Sequence, residues 1–184
     1  MTENIIDPTL VAKIVPIRML LMDVDGVLTD GGIHWDNRGI QSKTFNVKDG
    51  FGIHWIRKLD IKTGIITGKT SEIVLHRAQE LKLDEVHQGE IYKLPVYENI
   101  KKKYGFSDEQ IAFVGDDLLD LPVIARVGFS AAPMDAHEQV LASVDFVSQY
   151  PGGKGAVREV IDLTIKAQGK WEKFLSDIMN WNQL

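Results

Sequence analysis

The sequence contains no cysteine. That excludes a disulfide framework, thiolate zinc sites and cysteine nucleophiles. It also lacks an apolar run approaching the roughly 20 residues needed to span a bilayer, so no membrane association is expected. Positive charge is in short supply. Lys and Arg number 21 against 26 Asp and Glu, for a net charge of −5. This argues against a surface built for nucleic acid. Nothing repeats at a fixed period, and no stretch is low in complexity. The opening MTENIIDPTLVAKIVP has no basic segment running into an apolar one, so a secretory leader is not expected and a cytoplasmic location is. What is present is 184 residues, 44% apolar and 26% charged, enough for one well-buried core. The expected plan is an N-terminal arm over 1–16, a core over 17–169 and a tail or helix over 170–184.

Apolar runs closed by polar residues recur along the chain. IRMLLMDVD (17–25) reads as a strand buried on both faces, as in parallel sheets. IKTGIIT (61–67), DEVHQ (84–88), QIAFVGDD (110–117), VGFSAA (127–132) and VDFVS (144–148) are further strands. Helices are expected between them, over 71–82 with a cap at Thr70, 94–105 ending at Gly105, 117–128 with Pro122 near its start, and 155–169. Ser107 and Gln110 have capping-box spacing, but the following strand favours a plain turn. GGIHWDNRGIQSKTF (31–45) reads as a β-hairpin around DNRG. In the last segment, Trp171, Phe174, Leu175 and Ile178 stand at helical intervals. They suit a docked helix or a mobile tail equally. Strand alternating with helix predicts an α/β fold: a Rossmann-like, mostly parallel sheet flanked by helices, with the hairpin inserted after the first strand.

Ligands of open parallel sheets bind beyond the carboxyl ends of the strands. Those ends carry Asp23 and Asp25, Thr67, and Asp116, Asp117 and Asp120, with Lys93 five residues beyond the 84–88 strand. Crowded like charges repel unless a cation joins them, and magnesium suits a site with few protein carboxylates. Asp23 and Asp25, two apart on an extended strand, point to one side. One can attack while the other moves protons. Gly26 allows a tight turn there. Thr67 and Lys93 supply a hydroxyl and an ammonium suited to a phosphoryl group. The set describes phosphoryl transfer through an aspartyl-phosphate. Taken singly, each is ordinary: Asp favours turns, Thr67 could be a turn hydroxyl, and Lys93 a solvated charge. His34, His76, His87 and His137 show no metal-ligand spacing, and Trp35 and Trp55 read as packing residues.

DVDGVLTD (23–30), the Thr67 of IITGK, Lys93, and GDDLLD (115–120) resemble, in order, the four signatures of the haloacid-dehalogenase phosphatase superfamily. The resemblance implies Asp23 as nucleophile and Asp25 as general acid, then general base. It implies Mg2+ held by the Asp23 side chain, the Asp25 backbone carbonyl and the Asp116 side chain, with Asp117 and Asp120 as orienting groups. NVKDGFGIHWI (46–56), QGEIYKL (88–94), VGDDLLDLPV (114–123) and PGGKGAVREVIDLTIKAQGK (151–170) resemble more closely one capless, tetrameric branch. That branch removes phosphate from 3-deoxy-D-manno-octulosonate 8-phosphate in lipopolysaccharide sugar synthesis. By this resemblance Asn46, Val47, Lys48, Asp49 and Gly50 line the substrate pocket. His54, Gly68, Lys69 and Arg77 join them, with Asp25 and Lys93. The branch often has arginine where this chain has Lys69 and His54, which leaves a nine-carbon sugar acid phosphate as an alternative substrate.

A cap domain has no room. About 40 residues separate Asp25 from Thr67 and about 26 separate Thr67 from Lys93, intervals already filled by the hairpin, helices and strands. A neighbouring subunit, engaged through the hairpin, is expected to cover the site instead. A phosphoacceptor domain of the receiver type is the rival from another class. It would place its phosphorylated Asp after the third strand, where this chain has His87-Gln88. The glycines of GGKG (152–155) read as a flexible entry to the last long helix.

Overall fold

The computed structural model describes residues 6–180. The outermost parts of the expected arm and tail lie outside the described residues. In chain order the elements are α1 (Pro8–Ile14), β1 (Met19–Met22), β2 (His34–Trp35), β3 (Gln41–Ser42), α2 (Val47–Ile56), β4 (Lys62–Thr67) and α3 (Glu72–Leu81). Then follow β5 (Glu85–Gln88), α4 (Lys93–Tyr104), β6 (Ile111–Val114), α5 (Leu121–Ile124), β7 (Phe129–Ala132), α6 (Glu138–Leu141), β8 (Phe146–Val147), α7 (Ala156–Ala167) and α8 (Trp171–Met179).

Six strands form one sheet in the order β5-β4-β1-β6-β7-β8, and every pairing in it is parallel. The alternation of side chains along β1 shows why a continuous apolar run is needed. Leu20 and Met22 enter a core with residues of α1, α2, α3, α7 and α8, while Met19 and Leu21 enter a second core with α4, α5 and α6. Helices thus cover both faces. The chain leaves β1 to build β4 and β5 on one side, then crosses back to build β6, β7 and β8 on the other. The reversal opens a crevice between the carboxyl ends of β1 and β6. Among the described residues no helix is long and apolar enough to cross a membrane.

The 31–45 segment is a hairpin outside the main sheet, with β2 and β3 antiparallel. Asp36 closes its turn by accepting from the backbone N–H groups of Arg38 at 2.9 Å and Ile40 at 2.8 Å, and Gly39 supplies a positive φ of 76°. Thr67 to Lys93 holds only α3 and β5, so no cap intervenes.

Several local expectations are corrected. The 117–128 helix is a 3-10 turn, Leu118–Asp120, followed by the single turn of α5, because Asp117 and Asp120 form a capping box that tightens the start. Ser107 and Gln110 do form their capping box, on the 3-10 turn Asp108–Gln110. The N-cap of α3 is Ser71, not Thr70, and the Ser71 N–H donates to Gln88 Oε1 at 2.8 Å. The one-turn α6 has too few residues to show a periodicity. The described part of the C-terminal segment is a docked helix. Phe174 is buried, its ring edge-on to Trp55 with centroids 5.9 Å apart.

Candidate active site

Asp23 follows β1 directly. Its N–H donates to Val114 O of β6 at 2.9 Å, which fixes its carboxylate at the mouth of the crevice. Lys93 opens α4 and is buried, so its ammonium must find anions. It lies 2.5 Å from Asp120 Oδ1 and 3.1 Å from Asp23 Oδ1. Asp120, fully buried, also accepts through Oδ2 from the N–H groups of Asp116 at 2.9 Å and Asp117 at 3.2 Å. One carboxylate therefore anchors the lysine and shapes the loop after β6.

The charges are unequally satisfied. Burial pushes Asp23 up to about 6, against the opposing pull of Lys93 and with a push from Asp120. Burial, then the charges of Asp23 and Asp120, push Asp116 up to about 8. Burial alone would lower Lys93, but Asp23 and Asp120 outweigh it and hold its ammonium above the usual range. One carboxylate oxygen from each of Asp23, Asp116 and Asp120 lies within 4.8 Å of the others. Both Asp120 oxygens are engaged, whereas Asp116 Oδ1 is buried without a partner and Asp23 Oδ1, also buried, has only the Lys93 ammonium beside it. Buried oxygens left unmatched beside each other suit a hard divalent cation. Asp117 points elsewhere, capping its own turn through Leu118 N at 2.7 Å.

Asp25 sits one turn beyond β1 rather than on the strand. Lys43, its side chain almost wholly buried, bonds Asp25 Oδ1, and Lys69 Nζ stands 3.8 Å from Asp25 Oδ2. Gly26 has φ +92°, and a Cβ there would fall 1.9 Å from Asp116 Oδ2. Only glycine lets this turn close over the Asp116 carboxylate. Thr67 ends β4, buried, and its carbonyl accepts from Glu90 N at 3.0 Å. Gly68 and Lys69 continue from it along the rim.

The remaining expected residues are spread more widely. Asn46 caps α2 through Lys48 N at 2.8 Å, and its amide reaches Gly153 O at 3.4 Å. Val47 is 81% exposed. Lys48 lines a hollow of about 380 Å³ with Tyr150, Lys154 and Arg158, which takes in none of Asp23, Asp25, Thr67 or Lys93. Asp49 is 1% exposed and accepts from Arg158 N of α7 at 2.7 Å. Gly50 faces the Arg77 guanidinium, which pairs with Glu80 at 2.7 Å and lies over the Phe45 ring. His54 lies about 12 Å along α2 from Asn46 at the usual helical rise. Partial burial, then Lys58, Arg57 and Lys82, lower its pKa.

Two features escaped the sequence. Lys43, a lone lysine at the end of the hairpin segment, carries no signal that it will be buried against Asp25. The GGKG glycines are packed rather than flexible: a Cβ on Gly152 would fall 1.8 Å from Gly26 O, and Gly153 N–H donates to Val27 O at 2.9 Å. Their absent side chains let this segment lie flush on the turn that carries Asp25.

A parallel sheet with an acidic crevice at its switch point fits an α/β enzyme that handles phosphate esters, and residues 71–161 match the family of haloacid dehalogenase-like hydrolases. The chain is 44% identical to the 3-deoxy-D-manno-octulosonate 8-phosphate phosphatase of Escherichia coli K12, over 89% of this chain and 87% of that protein. The crystal structure of the Yersinia pestis phosphatase of the same name superposes with a TM-score of 0.89 at 41% identity, covering 91% of this chain and 90% of that one. The Moraxella catarrhalis phosphatase, solved with a magnesium ion, a phosphate ion and the sugar acid, gives 0.90 at 36% identity over 92% and 98%. The chain belongs to the haloacid dehalogenase-like hydrolases and, within them, to this family of phosphatases.

Asp120→Ala should cost about 3 kcal/mol of stability, because it strands a buried ammonium and two backbone N–H groups. Urea unfolding checks this, and a loss below about 1 kcal/mol would remove Asp120 from its anchoring position.

Proposed function

We propose that the protein is a magnesium-dependent phosphomonoesterase that hydrolyses 3-deoxy-D-manno-octulosonate 8-phosphate to the free sugar acid and phosphate, a step in lipopolysaccharide sugar synthesis in the cytoplasm. The observation that carries the reading is the crowding of the buried Asp23 and Asp116 carboxylates, with Asp116 Oδ1 unpartnered and the Lys93 ammonium the only partner at Asp23 Oδ1. Asp23 and Asp116 side chains, with the Asp25 carbonyl, would hold the ion. When bound, magnesium offsets the charge of the phosphoryl oxygens.

Asp23 attacks phosphorus as the bond to the sugar oxygen breaks, and Asp25 gives that oxygen its proton. Asp25 then takes a proton from water as the water oxygen attacks the aspartyl-phosphate, releasing phosphate and restoring Asp23. Lys93 places positive charge beside Asp23 throughout, and the Thr67 hydroxyl orients a phosphoryl oxygen. Lys43 holds the Asp25 carboxylate in place. Asn46, Val47, Lys48, Asp49, Gly50, His54, Gly68, Lys69 and Arg77 remain the substrate-pocket set implied by resemblance, with Lys69 best placed because it already stands at Asp25.

Asp23→Asn should abolish turnover while leaving the thermal melt unchanged. Phosphate release should be greatest from the octulosonate ester in a screen of eight- and nine-carbon sugar acid phosphates. Near-wild-type activity in the variant would dismiss Asp23 as nucleophile, and preference for a nine-carbon ester would reassign the substrate.

Magnesium must displace protons held by Asp23 and Asp116, whose pKa values are raised to about 6 and about 8. A raised carboxyl pKa favours the protonated form at low pH, so apparent magnesium affinity should climb from pH 5.5 to 8.5. Calorimetric titration reads this directly, and a flat profile would show that the two acids do not hold the ion.

The working form is proposed to be a homotetramer in which the β2–β3 hairpin brings a neighbour over the crevice. Ile33, Trp35 and Ile40 leave that hairpin with more than half of each side chain exposed. Gel filtration with light scattering should give four chains; a fully active monomer would overturn the assembly.

A further inference from the structure

The N-terminus of α7 has no cap of its own. Its N-cap, Gly155, sits at φ +113° and has no side chain to offer the free N–H groups of the first turn. A carboxylate from another helix fills the role. Asp49 of α2, 1% exposed, accepts through Oδ1 from Arg158 N at 2.7 Å, within the first turn of α7. The segment just before that N-terminus is fastened twice more: Asn46 of the same α2 turn reaches Gly153 O, and Gly152 N–H donates to Asp135 Oδ1 at 2.9 Å. Gly152 and Gly153 then lie against Gly26, Val27 and Thr29 so closely that neither could carry a Cβ without displacing backbone. The turn they hold carries Asp25 and closes over Asp116 at Gly26.

We infer that Asp49 is a positioning residue for the reaction: by capping α7 from α2 it seats the 152–155 segment, which in turn fixes where the Asp25 turn stands. The inference rests on the aspartyl-phosphate reading of Asp23 and Asp25. It replaces substrate contact with indirect placement as the role of Asp49. Burial argues the same way, since a carboxylate enclosed between two helices has little surface left for a sugar. Displacing a reacting group by about 1 Å can lower a rate by as much as a hundredfold, so small slackening of the cap is enough to be read in kcat.

The test compares Asp49→Ala, Asp49→Ser and Asp49→Asn in the full chain with magnesium, using a small aryl phosphate and the octulosonate ester. Asp49→Ala should lower kcat on both esters by about tenfold to a hundredfold, with KM changed less than about twofold. Asp49→Asn keeps an acceptor oxygen and should recover most of the loss. Should the alanine variant fail to fold, Asp49→Ser, with a shorter acceptor, should show the same kcat-selective loss at lower amplitude. Gly152→Ala breaks the next link and should reproduce the pattern. A lower melting temperature with unchanged kcat would make Asp49 merely structural, and a rise in KM confined to the sugar ester would return it to the substrate pocket; either overturns the inference. A wild-type chain inactive on both esters would instead defeat the proposed function itself.

Discussion

The site depends on one buried cation. Lys93 is held between Asp23 and Asp120, and none of the three could be enclosed alone at acceptable cost. Asp120 supplies the lysine with a permanent partner, which leaves the Asp23 contact as the adjustable one. That division suits a carboxylate that must change its bonding during a reaction while its neighbours stay put. It also explains the placement of Lys93 at the start of α4. A side chain fixed to rigid backbone at a helix terminus reaches the crevice with little freedom to lose.

The second half of the site is held differently. Asp25 stands on a turn, and turns carry few contacts of their own. Here the turn is clamped from both sides, by Lys43 from the hairpin and by the glycine pair ahead of α7. The acid proposed to move protons is thus tied to elements that lie outside the sheet. Asp23, by contrast, is set by the ladder between β1 and β6, and Asp116 by the Asp120 carboxylate that accepts its N–H.

Much of this was legible in the chain. β1 and β6 announced themselves because both faces of the sheet are covered there, so each is an unbroken apolar run, whereas β5, with the sequence EVHQ at the sheet edge, was the weaker signal. Asp23, Asp116 and Thr67 were legible because they stand at the ends of strands, and Lys93 because it follows β5 by five residues. The failures share a cause. The 3-10 turn at Leu118–Asp120 follows from a side chain binding backbone, and the burial of Lys43 from a tertiary partner, neither of which leaves a periodic trace. Gly152 and Gly153 looked flexible because glycine signals freedom and close approach alike. Asp49 sits in a motif that the resemblance assigned to substrate, and only its burial redirected it.

The strand order has a temporal consequence. β1 pairs with β4 and with β6, whose residues follow it by about 40 and about 90 positions, so the central strand gains its second neighbour late in synthesis. A ribosome that has released only the first hundred residues has exposed Asp23, Asp25, Thr67 and Lys93 without Asp116 or Asp120. The emerging chain therefore carries Asp23 and Lys93 before Asp120 can pair with the lysine, and Asp25 before Gly152 and Gly153 can pack on its turn.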